Sequence, residues 1–176
     1  GFGLGSLILY EECVDLGIEI SLFEDKEGLF LNDRKQLISK ILKENPKTIS
    51  FSTRCDTYPS AINIAKAIKK INPNIKIIFG GPHATLTYQQ TLEKYDYVDV
   101  VSIGAGEGVF SKILKSDFSL ESLSKINNIA FKEKGKVYTT PYQCNSCQIK
   151  TPIDSIKKYT SEYKNEIRIE AGRGCC

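Results

Sequence analysis

The amino-acid sequence predicts an open, doubly wound α/β sheet. Short β-branched runs alternate with segments of helical period through the first two thirds of the chain. The runs are apolar on consecutive residues, as are parallel strands covered on both faces. Clusters of Gly, Ser or Thr stand where these runs give way to helices.

The elements follow in order. Ser6 to Leu16 places Leu7, Ile8, Cys13, Val14 and Leu16 roughly on one helical face, closed by Gly17 as a C-cap. Ile18 to Phe23 reads as a strand. Asp33 to Leu42 repeats Leu37, Ile38, Ile41 and Leu42 at helical spacing, with Asp33 as N-cap and Pro46 beyond the end. Thr48 to Ser52 is a short strand. Tyr58 to Ile71 is a helix with Pro59 in its first turn and Ile62, Ala65, Ile68 and Ile71 inward. After the Asn72-Pro73-Asn74 turn, Ile75 to Phe79 is a strand ending in Gly80-Gly81-Pro82. Thr87 to Tyr95 is a helix. Val98 to Ile103 is a strand ending in Gly104-Ala105-Gly106-Glu107-Gly108, and Val109 to Leu114 is a helix.

Beyond Ser116 the texture changes. Ile129 to Lys132 and Lys136 to Thr139 flank Glu133-Lys134-Gly135 as a hairpin. Residues 141–165 are polar, with two Pro and no period, and read as a linker. Glu166 to Ala171 alternates like a fresh strand. The predicted organisation is an α/β domain over 1–140, a linker over 141–165 and the start of another domain over 166–176.

Composition narrows the function classes. A chain of 176 residues, 41% of them hydrophobic, supports a core without disulfides or metal. No apolar run approaches the roughly 20 residues of a membrane span, and no segment has the order of a signal peptide. A net charge of +3, with Lys scattered among Asp and Glu, argues against a nucleic-acid partner. The six Cys, without a secretory signal, point to a reducing, cytoplasmic setting. With no Met even at position 1, the sequence is expected to be an excerpt whose first strand preceded a loop at Gly1 to Gly5.

In an open parallel sheet, ligands bind at the carboxyl ends of strands. Three clusters fall at such ends: Ser50-Phe51-Ser52-Thr53, Gly80-Gly81-Pro82-His83 and Gly104-Ala105-Gly106-Glu107-Gly108. Gly lets backbone approach a large ligand closely, and helix N-termini offer free N–H groups. One such cluster is equally well a plain turn; three at successive strand ends favour a ligand groove. The spacing of a dinucleotide fingerprint is absent, as is the Gly-Lys-Ser/Thr of a P-loop, and a single His leaves no Ser-His-Asp set.

Gly80-Gly81-Pro82-His83-Ala84-Thr85 resembles the signature of the cobalamin-binding domain found in front of radical S-adenosylmethionine (radical SAM) enzymes. The order then continues as in that family. Asp99-Val100-Val101 leads into Gly104-Ala105-Gly106-Glu107, similar to its Gly-Glu-Gly-Glu turn. Asn128 to Phe131 with Gly135-Lys136-Val137 resembles its hairpin. Glu170-Ala171-Gly172-Arg173-Gly174-Cys175 resembles the entry to the radical SAM barrel.

The resemblance covers nearly the whole chain and implies a flavodoxin-like or Rossmann-like sheet of the cobalamin-binding type. It implies cobalamin contacts from Ser50, Ser52, Thr53, Gly80, Gly81, Pro82, His83, Gly104, Gly106 and Glu107. It also implies Cys175 as the first of three Cys ligands to a [4Fe–4S] cluster. Cluster and S-adenosylmethionine belong to the full-length protein, whose barrel meets the substrate and whose reaction is most often methyl transfer. The fragment alone binds cobalamin at best and catalyses nothing.

There are departures. Arg54 stands where the wider cobalamin family has Leu, and Cys176 where this one often has Pro. No His lies near Gly1 to Gly5, which implies cobalt without a protein imidazole. Each residue also has a plainer role. Ser50, Ser52 and Thr53 can cap strand ends, and His83 can cap the next turn. Glu107 suits a helix first turn, and Tyr58 can staple a helix start. Cys144-x-x-Cys147 is half a metal or redox site within a linker. A flavodoxin-like or receiver-like module, or a worn relative with an empty groove, remain as alternatives. A receiver needs clustered Asp where this chain has Ser and Gly.

Overall fold

The structure, a computed structural model, describes residues 4–23 and 34–144. Its helices are α1 (Leu4–Asp15), α2 (Arg34–Lys43), α3 (Tyr58–Ile71), α4 (Pro82–Lys94), α5 (Phe110–Lys115) and α6 (Leu120–Ser124). Its strands are β1 (Thr48–Ser52), β2 (Lys76–Gly80), β3 (Val100–Ser102), β4 (Ile129–Glu133) and β5 (Lys136–Thr139). They form one sheet in the order β1-β2-β3-β4-β5. The first three strands are parallel, while β4 and β5 run antiparallel. The predicted doubly wound sheet is present, and the predicted hairpin extends it as a mixed edge.

Side chains alternate across a strand, and two cores result. Ile49, Ile77, Phe79, Val101 and Ala130 face the helices α2, α3 and α4, which supply Leu37, Ile41, Ile64, Ile68, Ala84 and Leu92. Ile78, Val100, Ile129 and Phe131 face the other way, onto Cys13 of α1, Phe110 and Ile113 of α5, and Leu123 of α6. Helices therefore cover both faces. No described helix is long and apolar enough to cross a membrane.

Several expectations need correction. Ile18 to Phe23 is not a strand. Its period of two survives as half-buried Ile18, Ile20 and Leu22 between exposed neighbours. Ile18 donates its N–H to Cys13 O (2.8 Å), closing α1 around Gly17 at φ 69°, and the segment pairs with none of the five described strands. Gly5 lies within α1 rather than in a loop.

Ile71, expected inward, is 62% exposed. Steps of three lag the helical period by about 60° each. The series from Ile62 therefore turns Ile71 to the opposite side, and Ala61, Ile64, Ala65 and Ile68 hold the core face.

Helix α4 begins at Pro82, five residues before the expected Thr87, because Pro at a first turn presets the helical φ. Thr87 itself (φ −120°, ψ 17°) interrupts that helix. Helix α6 was not expected. Ser119 caps it, accepting the Ser122 N–H at 3.2 Å. Residues 141–143 of the expected linker are tied down: Asn128 bonds Gln143 through both ends of its side-chain amide, and its N–H reaches Pro141 O. The rest of that linker, the strand expected at Glu166 to Ala171, and Asp33, Cys147, Cys175 and Cys176 lie outside the described residues.

Candidate functional site

A cleft of about 440 Å³ opens at the carboxyl ends of β1, β2 and β3. That is within the roughly 300–1,000 Å³ usual for small-molecule sites. Its floor follows from strand alternation. Ser52 pairs with Gly80 across β1 and β2. One step on from the Phe79–Val101 pair, Gly80 lies beside Ser102, where a Cβ on Gly80 would stand 3.9 Å from that of Ser102. Across the three parallel strands the last row on this face is thus Ser52, Gly80, Ser102, with nothing larger than a hydroxymethyl group before buried Ile129 of β4 continues it. The opposite wall is α1, with Gly5, Ser6 and Leu9, and the end wall is Gly104 to Glu107 with Phe110.

The loops around the cleft are fastened to one another. Thr53 donates both its N–H (2.8 Å) and its hydroxyl (2.9 Å) to Gly80 O, and His83 donates its N–H to Thr53 O at 3.2 Å. This zipper demands Gly at 81. Its φ is 89°, and a Cβ there would lie 2.6 Å from Thr53 O. The Gly104 N–H bonds Thr85 Oγ1 at 3.0 Å, tying the third cluster to α4. Glu12 of α1 accepts the Gly108 N–H (3.0 Å) and the Ser111 hydroxyl. A carboxylate there suits the entrance to α5, and it sets α1 against the end wall.

Of the residues expected at the site, Ser50, Ser52, Gly80, Gly81, Pro82, Gly104, Gly106 and Glu107 do meet in the cleft. Thr53 and His83 do not line it. Thr53 is fully buried in the zipper. The His83 ring lies 4.4 Å from that of Tyr58, which in turn stands edge-on to Phe79. The Tyr58 hydroxyl bonds Thr91 at 2.7 Å, and burial pushes its pKa above the usual tyrosine value. Cys175 lies outside the described residues, and Cys144 is an exposed free thiol. Among the described residues, no three His, Cys, Asp or Glu side chains converge on a metal position.

Ser6, Leu9, Ile78, Ser102 and Phe110 also line the cleft and were not expected there, while Gly5 comes from the Gly1 to Gly5 segment expected to precede α1. Ser102 was within reach, since it shares a strand face with Val100. The α1 residues were not, because nothing local says which end of a helix faces a cleft. Among the described residues the lining contains no Lys, Arg or His, and its one acid is Glu107. Such a surface suits an uncharged, flat group rather than a bare phosphate.

Comparison with known proteins agrees. Residues 7–114 match the B12 binding domain family. An uncharacterized methyltransferase of Pyrococcus horikoshii is 31% identical over 105 residues, 59% of this chain and 23% of its own length. TokK, a cobalamin-dependent radical SAM methyltransferase of Streptomyces tokunonensis, is 31% identical over 97 residues, 55% of this chain and 14% of its own. An anaerobic magnesium-protoporphyrin IX monomethyl ester cyclase of Synechocystis is 22% identical over 181 residues, covering 98% of this chain and 36% of its own. The chain thus spans about a third or less of the length of these relatives. Matched over more than half of its residues, and carrying its cleft where that fold binds ligands, the chain belongs to the B12-binding domain family.

Proposed function

We propose that this chain is the cobalamin-holding module of a radical SAM enzyme, and that the nucleotide tail of cobalamin enters the cleft between the sheet and α1. One observation carries the reading: on the face towards α1 the terminal row Ser52, Gly80, Ser102 carries no apolar side chain, where the row beneath it holds buried Ile78 and Val100. Ser50 and Ser52 offer hydroxyls at the open, exposed side. Gly106 brings backbone up against Leu9, and Glu107 closes the far end. Gly81, Pro82 and Gly104 form the rim on which the corrin side of the molecule rests. When bound, cobalamin supplies a cobalt centre able to carry a methyl group; the protein supplies shape and orientation.

In the full-length protein a [4Fe–4S] cluster and S-adenosylmethionine complete the chemistry, with Cys175 as one cluster ligand. Support for this comes from the Gly172-Arg173-Gly174-Cys175 motif and from the relatives' names. The setting is cytoplasmic, in keeping with the free thiols of Cys13, Cys55 and Cys144.

The test is retention of the cofactor. The chain is incubated with hydroxocobalamin and desalted, and its visible spectrum is recorded. Near-stoichiometric corrin absorbance is expected. A colourless protein would overturn the proposal.

A further inference from the structure

The floor of the cleft holds one polar atom that the protein itself leaves unsatisfied. Ser102 is 6% exposed, and its Oγ has no hydrogen-bond partner. Buried hydroxyls are rarely left so, because the lost hydration is not recovered. The neighbouring floor residues differ: Ser50 and Ser52 are exposed and open to water. Ser102 lines the cleft together with apolar Leu9, Ile78 and Phe110. The position is therefore apolar on its sides and polar at one point, with no cation among the described lining residues to hold a phosphate.

An aromatic ring carrying one uncharged acceptor fits that description. The base of cobalamin's tail, dimethylbenzimidazole, is such a ring. When it does not coordinate cobalt, one ring nitrogen is unsubstituted and can accept a hydrogen bond.

We infer that Ser102 is a specificity residue whose hydroxyl donates to that ring nitrogen. The cleft then selects corrinoids with a nitrogen heterocycle as tail base over those with a phenolic ring. The inference rests on the reading that the tail enters this cleft.

Three corrinoids test it on the wild-type chain and on Ser102→Ala: cobalamin, p-cresolyl cobamide, whose tail ring has no nitrogen, and tail-less cobinamide. Removing an unpartnered hydroxyl should leave the ligand-free chain melting no lower than wild type. The wild type should bind cobalamin roughly 3- to 10-fold tighter than the cresolyl analogue, the scale of one net hydrogen bond. Ser102→Ala should lose that factor for cobalamin and none for the analogue. Equal affinity of both proteins for cobalamin, or equal weakening for both ligands, would overturn the inference and leave the tail in the cleft. Cobinamide binding as tightly as cobalamin would overturn the tail reading too, and absence of all binding would overturn the cobalamin proposal itself.

Discussion

Cys13 is fully buried between α1 and the sheet, and its thiol is pushed up from 9.0 to about 11. Burial is the main cause, the neighbouring Glu12 carboxylate adds to it, and Lys115 opposes. The folded chain therefore keeps a proton that the unfolded chain loses above pH 9. Stability from this group is complete below pH 9 and falls as pH rises towards 11. The difference in pH dependence between wild type and Cys13→Ala, measured by urea denaturation, should show that fall. Thiol labelling at pH 8 should modify exposed Cys55 and Cys144 and spare Cys13 until the chain unfolds.

At this scale the sequence was legible where a residue type has few uses. Gly80-Gly81-Pro82 was open to two readings, a plain turn or close backbone approach, and the contact of Gly81 with Thr53 shows the second. Ser102 was harder to read, because a serine at a strand end is ordinary until its neighbours on the same face are known.

Among the elements, the hairpin between β4 and β5 is the most local. Lys134 (φ 50°) and Gly135 (φ 78°) make its two-residue turn, and both take the left-handed region. Gly takes that conformation freely and Lys only at a cost, whereas Asn suits the first position of such turns. Lys134→Asn should stabilise the chain by about 0.5–1 kcal/mol, read as a higher denaturation midpoint with an unchanged slope. The strand-like runs flanking Glu133-Lys134-Gly135 made the hairpin readable in advance, even with Lys where such turns favour Asn.

Strand β1 was legible to the residue, being β-branched between Pro46 and a Ser-Thr cap. The segment Ile18 to Phe23 misled for the same reason. Its alternation records half-burial against the core of α5 and α6, and strand pairing requires a neighbour that alternation cannot reveal. Helix α6 escaped notice because five residues are too few to show a period, and its one signal is the Ser119 cap.

The described residues form a sheet covered on both faces, with the cleft at the carboxyl end of the face that packs against α1. Filling the recess should separate binding from folding. A Cβ on Gly80 meets nothing closer than 3.9 Å, and its φ is not in the left-handed region. Gly80→Val should therefore fold, with a side chain standing in the cleft. Wild type with cobalamin at about 100 times its Kd should gain about 2.7 kcal/mol in unfolding free energy, seen as a raised Tm. Gly80→Val should show little or none of that gain. An equal gain would move the binding site elsewhere. The two-faced architecture was visible in the alternation of periods, but the asymmetry between faces was not. That asymmetry depends on register, which brings Ser52, Gly80 and Ser102 into one row.

The strand order has a kinetic consequence. Each of the five described strands lies beside its neighbour in sequence, so among them no later strand must be threaded between two earlier ones. Every new strand can add to the growing edge as the chain leaves the ribosome, with loop closures confined to one helix or one turn at a time. The end wall of the cleft, where Gly108 and Ser111 meet Glu12 of α1, follows all three floor strands in sequence.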